Sequence, residues 1–370
     1  GITPLTAMKL HHVRGRYPVI QAFDRAERPL TIIHTGQHYS ENMDHLFFQE
    51  LNIRTPDFRL PALAGPNTPI RQISHMLGGL DDWMSENRPA VVLVLGDTNS
   101  NFAAALVARK ENIKLGHIEA GERSWDIRSP EEQNRVMIDH ISDFHFASTP
   151  KSRKNLLAEG INERGIYLVG HTLVDSLQGI ERRTKELLNF DVSYKNIVKS
   201  EFSVITLHRQ ETVDDDDKLL RVLTDLARSS KLHNLPGVFF AHPRTLGRMQ
   251  VLGISGDLQG AGIVICEGVG YIEFISVLSK AAVCITDSGG VQQEACILKV
   301  PTVTLMETTP WPETVSVGIN RVVPPGITSI AEAIGDALKM TVLERQKVPN
   351  PFGDGRSGQR ICDLIANILT

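Results

Sequence analysis

Four apolar runs in this chain end on polar residues suited to binding an anion or moving a proton. The run Val91–Leu95 with Gly96 leads into Asp97-Thr98-Asn99-Ser100, and Leu115–Ile118 leads into Glu119-Ala120-Gly121. Phe202–Leu207 leads into His208-Arg209-Gln210-Glu211, and Ala281–Thr286 into Asp287-Ser288-Gly289-Gly290. If the runs are parallel strands, ligands bind beyond their carboxyl ends, so all four sets of polar residues are expected to point into one cleft.

The segment Asp287-Ser288-Gly289-Gly290-Val291-Gln292-Gln293-Glu294-Ala295 is the most specific of these. A hydroxyl and two glycines at a helix start let backbone N–H groups approach a diphosphate, and the helix dipole favours its charge. The other reading is a tight turn capped by Ser288. Glu294 either accepts hydrogen bonds from ribose hydroxyls or is a solvated helix charge. Ser129-Pro130-Glu131-Glu132 reads as a helix start, with Glu132 closing a capping box on Ser129. Glu131 is left to join Asp97 and Glu119 as a third carboxylate. Crowded carboxylates separate each other's pKa values, so that one is an acid while another is a base. A salt-bridge network with Arg123, Arg128 and Arg135 is the alternative. His208, after an apolar strand, is placed either to assist a leaving phosphate or to support the turn. His242, in His242-Pro243-Arg244, gives either a phosphate contact or a turn.

These residues need a scaffold of parallel strands. Short apolar runs at 30–34, 90–95, 115–118, 143–147 and 166–169 alternate with amphipathic stretches such as 101–111 and 151–159, which is the βα pattern. The pattern restarts at 202–207, 238–241, 262–266, 282–286 and 302–305. An α/β fold of two Rossmann-like domains facing a central cleft is expected, residues 1–175 and 176–350, with a terminal helix over 356–370 packing back on the first domain. At 370 residues, the chain has room for two such domains. A formal charge of −4 supplies no broad basic surface for nucleic acid or a membrane. The four cysteines lack metal or disulfide spacing, and neither a membrane span nor a secretory leader is visible, so a cytoplasmic protein is expected.

Taken together, the residues resemble the non-hydrolysing UDP-N-acetylglucosamine 2-epimerases, which have a glycosyltransferase-B-like fold. The resemblance runs through Thr35-Gly36-Gln37-His38, Gly96-Asp97-Thr98, His117–Gly121, Pro130-Glu131-Glu132 with Asn134-Arg135, Gly170-His171-Thr172 with Asp175, His208-Arg209, Ser288–Gly290 with Glu294, and Thr308-Thr309 with Pro312-Glu313. It implies elimination of UDP and the C2 proton to a 2-acetamidoglucal, followed by re-addition with the proton on the other face. By that resemblance Asp97, Glu119 and Glu131 form the acid and base group, and His208 assists departure of UDP. Ser288, Gly289, Gly290 and Glu294 match the UDP-binding segment, with Arg135 and Glu313 as further contacts. Gln37 and His38 match the place where some relatives hold a second, activating UDP-sugar. The resemblance implies no cofactor, no metal and a homodimer.

Two departures from the pattern stand out. The opening strand and its Gly-Thr-Arg-Pro-Glu are not visible near Gly1, so the first domain is expected to lack a central strand and to expose neighbouring edges. Trp311 stands where a basic residue is the pattern. The rival activities are a hydrolysing epimerase releasing N-acetylmannosamine and UDP, a glycosyltransferase of the same fold, and a catalytically weak UDP-sugar-binding protein.

Overall fold

Val91-Val92-Leu93-Val94-Leu95 has no polar position to turn towards water, and all five residues are buried. Strands of this kind belong inside parallel sheets covered by helices on both faces. The computed structural model describes residues 5–8, 13–35, 54–61, 63, 68–184, 193–326 and 329–369. It divides into two compact units, Gly1–Gln178 with Phe352–Thr370, and Gly179–Pro351.

The strands of the first unit are β1 (Leu5–Met8), β2 (Leu30–His34), β3 (Phe58–Arg59), β4 (Val91–Leu95), β5 (Lys114–Ala120), β6 (Phe144–Ala147) and β7 (Ile166–Leu168). They form one sheet in the order β3-β2-β1-β4-β5-β6-β7. The second unit holds β8 (Ser203–Thr206), β9 (Gly237–Phe240), β10 (Ile263–Cys266), β11 (Val283–Thr286), β12 (Thr302–Leu305) and β13 (Asn320–Val323), in the order β10-β9-β8-β11-β12-β13. Every pairing in both sheets is parallel. Each sheet has the Rossmann order, which reverses direction between β1 and β4 in one unit and between β8 and β11 in the other. The carboxyl ends flanking such a reversal form a ready crevice.

The expectation of a missing central strand is overturned. Leu5–Met8 pairs with Leu30–Ile33 on one side, and Thr6 and Ala7 pair with Val92 and Leu93 on the other. Leu-Thr-Ala-Met has one β-branched residue and little local strand signal. The unpaired edges of β2 and β4 impose the conformation, and no central gap is left. Residues 9–12, just beyond it, lie outside the described residues, as do Gln37 and His38. The short edge strands β3 and β13 likewise carry no clear run and were not expected.

Helices cover the sheets by ordinary amphipathic spacing. In the helix Pro69–Asn87, Met76, Leu80 and Met84 are buried four residues apart, and they meet Ala103, Ala104, Val107 and Ala108 of helix Asn99–Lys110. In the second unit Leu219, Val222, Leu223 and Leu226 of helix Asp216–His233 pack with Ile205, Phe239 and Ile285. Each such side chain contributes about 1.5–3 kcal/mol by leaving water. Helix starts are set by capping: Thr149 accepts the Ser152 N–H at 3.1 Å, with Pro150 in the first turn. The last helix, Ser357–Leu369, packs on helix Val13–Arg25, and the Asp175 carboxylate accepts the Ser357 and Gly358 N–H groups at its start.

Candidate functional site

In the first unit four neighbouring strands deliver polar groups at successive carboxyl ends. Leu95 of β4 pairs with Ile118 of β5, so Asp97 and Glu119 emerge side by side. Ala120 of β5 pairs with Ala147 of β6, which brings Gly121 and Glu122 next to Ser148. Ala147 pairs with Leu168 of β7, which leads through Gly170 to His171. The register of β5 shifts between Ile118 and Ala120, and Glu119 has a φ of 69°. A non-glycine residue held in that region is strained, and such strain persists where the surroundings over-determine it.

The Asp97 carboxylate accepts from the Arg135 guanidinium at 2.5 Å, and its carbonyl accepts from Asn134 at 2.8 Å. Arg135 also donates to Glu132 at 3.0 Å. The capping box expected at Ser129 does not form. The Glu132 carboxylate turns inward to accept the N–H groups of Ser124 at 2.9 Å and Trp125 at 3.0 Å, and Ser129 instead donates to Glu131 at 2.7 Å. Burial works against the Glu132 charge, yet these donors and Arg135 hold its pKa below the usual glutamate value. Glu131 is exposed at the start of helix Pro130–Ile141. The alternative arginine network is present in altered form: Arg135 pairs with Asp97 and Glu132, Arg128 with Asp126, and Arg123 with Asp139 and Glu159.

Glu122 is a site residue that sequence reasoning missed. Its side chain is only 9% exposed, it accepts from Ser148 at 3.1 Å, and its oxygen lies 3.7 Å from His171 Nε2. Glu119 lies 3.8 Å from the same nitrogen. Burial, followed by the charge of Glu119, pushes the Glu122 carboxyl well above the usual range. Arg135 and the Ser148 hydroxyl oppose the shift, and Asp97 adds to it. The Glu-Ala-Gly-Glu spacing was the available signal, because the turn at Gly121 sends both carboxylates to the same strand end.

Donor atoms of Glu119, Glu122 and His171 lie within 4.8 Å of one another, the spacing of a metal-ligating set. His171 Nδ1, however, accepts the Leu173 N–H at 3.1 Å. The neutral ring therefore carries its proton on Nε2, the nitrogen facing the two carboxyls. Binding a cation at Nε2 would require moving that proton to Nδ1, against the Leu173 N–H.

Beneath it lies a buried frame. Asp139 accepts from His117 Nδ1 at 2.6 Å and from the Gly121 N–H at 3.0 Å, and it pairs with Arg123 at 2.7 Å. Gly121 has a φ of 79°, and a Cβ there would sit 2.2 Å from the Ser152 carbonyl oxygen. A Gly121→Ala chain is expected to lose roughly 3 kcal/mol through backbone strain and overpacking, read as a lower urea midpoint. A midpoint within error of the unchanged chain would refute that reading of the turn.

In the second unit, His208 and Asp287 follow the adjacent strands β8 and β11. The Asp287 carboxylate, fully buried, accepts the N–H groups of His208 at 2.9 Å and Arg209 at 2.8 Å, and pairs with His208 Nδ1 at 2.9 Å. The imidazole is oriented by Asp287 through Nδ1, and almost half of the side chain is exposed. Ser288 caps helix Gly289–Ile297 by accepting the Val291 N–H, so the capping reading holds for its side chain. Glu294 is fully buried and accepts from the Tyr271 hydroxyl at 2.9 Å, which overturns the solvated-charge reading. His242 is exposed and caps helix Pro243–Leu252 by accepting the Arg244 N–H at 3.2 Å. Gln292 accepts from Thr309 at 2.6 Å, tying the helix to the Thr308–Glu313 segment, and the indole of Trp311 lies against Gly289. Glu313 begins the short helix Pro312–Ser316 and is half-buried.

Among the described residues, no helix is long and apolar enough to cross a membrane. The UDP-N-acetylglucosamine 2-epimerase family description matches residues 21–366. The chain is 40% identical over 351 residues to the UDP-N-acetylglucosamine 2-epimerase of Methanocaldococcus jannaschii, covering 94% of each. It is also 40% identical over 367 residues to the enzyme of that name from Methanococcus maripaludis, covering 96% of this chain and 98% of the relative. A crystal structure of the Methanocaldococcus jannaschii UDP-GlcNAc 2-epimerase, in complex with UDP-GlcNAc and UDP, superimposes with a TM-score of 0.86 at 38% identity, covering 98% of this chain and 99% of that one. Similarity of this extent, over nearly the whole chain, places it in the UDP-N-acetylglucosamine 2-epimerase family.

Proposed function

We propose that the chain interconverts UDP-N-acetylglucosamine and UDP-N-acetylmannosamine by inverting C2. The observation that carries this reading is the pair Asp97 and Glu119 at neighbouring strand ends, the first held by Arg135 and the second beside Glu122, whose pKa is pushed upward by burial and the Glu119 charge. One carboxylate takes the C2 proton, the C1–O bond breaks, and its electron pair leaves on the β-phosphate of UDP. The neutral 2-acetamidoglucal then receives a proton on the opposite face of C2 as UDP returns to C1. In this proposal Glu131 completes the carboxylate group and Arg135 balances its charge. His208, aligned by Asp287, supports the departing phosphate.

The second unit supplies the nucleotide contacts in the same proposal. The backbone at Ser288, Gly289 and Gly290 offers N–H groups at a helix start, the buried Glu294 accepts ribose hydroxyls, and His242 and Glu313 are further contacts. Trp311 takes the position of the pattern's basic residue, so an indole rather than a cation borders Gly289 here. A homodimer, a cytoplasmic setting, a second-nucleotide site at Gln37 and His38, and supply of the mannosamine sugar nucleotide for polysaccharide synthesis also belong to this proposal.

Proton NMR of UDP-N-acetylglucosamine incubated with the chain in deuterated water tests it. Deuterium entering C2 together with accumulating UDP-N-acetylmannosamine is the expected result. Free N-acetylmannosamine and UDP would replace it with a hydrolysing epimerase. An unchanged spectrum despite UDP binding would replace it with a binding protein.

A further inference from the structure

His171 and Glu122 remain unused by the reaction as assigned, yet both are nearly buried against Glu119. The imidazole is fixed on both sides: Nδ1 accepts the Leu173 N–H, and the ring edge meets Phe352 with centroids 5.9 Å apart. Its Nε2–H consequently points at two carboxyl groups at nearly equal distances, 3.8 Å to Glu119 and 3.7 Å to Glu122. Neither distance is a hydrogen bond, but a small shift towards one carboxyl makes one and withdraws from the other. Two carboxyls this close, and removed from water, do not both carry charge.

Resting on the assignment of Glu119 to proton transfer, we infer that Glu122 and His171 are positioning residues for it: Nε2–H stabilises one negative charge on the carboxyl pair, and Glu122 holds the proton that leaves Glu119 the ionised member. The groups facing Glu122 agree with this division. Ser148, from the end of β6, donates to it at 3.1 Å, and Asp97 and Glu119 bring negative charge from the ends of β4 and β5. Arg135 from helix Pro130–Ile141 supplies an opposing positive charge. Burial and the carboxylates prevail, and the proton stays on Glu122. When Glu119 takes the C2 proton both carboxyls are briefly neutral; C2 is then protonated on its opposite face by another acid of the site, and Glu119 regains its charge by releasing its proton to solvent, which is the route by which deuterium enters C2.

A pH-dependent consequence follows. As pH rises through the elevated Glu122 value, a second negative charge appears beside Glu119. The imidazole N–H is then shared between two anions, and turnover falls on the alkaline side. Glu122→Gln keeps a neutral side chain at every pH. Its expected signature is an alkaline limb of kcat flattened or moved upward by at least about one pH unit, with kcat at neutrality lowered by about threefold. His171→Ala is expected to lower kcat about tenfold with KM changed less than about twofold, and His171→Gln, whose amide N–H reaches the Nε2 position, to recover most of that loss.

The experiment measures kcat and KM from pH 6 to 10 for the full chain and these variants, with thermal melts as a folding control. An alkaline limb unchanged in a folded Glu122→Gln chain overturns the inference, as does His171→Gln being no better than His171→Ala. Glu119→Gln separates this outcome from failure of the underlying assignment: exchange of the C2 hydrogen at the unchanged rate in that variant removes Glu119 from the chemistry, whatever the other variants do.

Discussion

An Asp97→Asn chain is expected to exchange the C2 hydrogen about a thousandfold more slowly than the unchanged chain, within the range that a positioned acid or base supplies. Its melting temperature should fall by no more than a few degrees. The substitution keeps an oxygen that can accept from Arg135, which is 2.5 Å away, and leaves the backbone contact from Asn134 to the carbonyl untouched. Arg135 retains its pairing with Glu132. What disappears is the ability to hold a proton at the end of β4, directly beside Glu119. The loss should therefore appear in kcat and in deuterium uptake at C2, read by NMR, with UDP affinity nearly unchanged because most of the proposed nucleotide contacts belong to the other unit. Exchange within tenfold of the unchanged rate would take Asp97 out of the proton transfer.

Asp139→Ala is expected to destabilise the first unit by about 3–5 kcal/mol, the cost of leaving a buried charge without its partner. The side chains of Asp139 and Arg123 have no exposed surface, and the removed carboxylate also serves His117 and the Gly121 N–H. Arg123 would keep the Glu159 carboxylate and the Glu122 carbonyl. For a unit of this size, a melting temperature lower by about 10 °C follows.

The acid dependence follows from the same contacts. Burial alone would raise the Asp139 pKa, but His117 and Arg123 prevail and hold it at about 2, below its ordinary value of 3.8. A carboxylate whose folded value is depressed contributes stability above its unfolded value and loses it as pH falls through the folded one. The difference in melting temperature between the two chains should therefore be full at neutral pH and shrink between roughly pH 4 and pH 2. A constant difference across that window would show that Asp139 acts through packing alone.

The carboxyl ends of the strands were the legible part of the site. Asp97 and Glu119 in one unit, and His208 and Asp287 in the other, could be found as candidates because each follows a buried apolar run, and such a run in a parallel sheet ends at the crevice edge of its own sheet. The side-chain partners were not legible. Ser129 and Glu132 have the spacing of a capping box, but Glu132 was drawn inward by the Ser124 and Trp125 N–H groups, which satisfy its charge better than a cap does. Glu294 reads as a helix-surface charge until Tyr271, more than twenty residues earlier, covers it.

The alternation of apolar runs and amphipathic stretches determined by itself that this is a two-unit α/β protein, because buried parallel strands admit no polar interruption and helices must cover them. Order and spacing of the strand-end motifs likewise determined the family. Tertiary structure alone decided the rest. Strand β1 exists because β2 and β4 leave edges to be filled, whatever the weak propensity of Leu5–Met8. The Glu122 carboxyl is pushed well above its usual range because burial removes it from water and Glu119 and Asp97 arrive beside it from the ends of β5 and β4. Propensity and periodicity are local, whereas the charge state of a buried carboxyl depends on neighbours that only the folded register brings within a few ångströms.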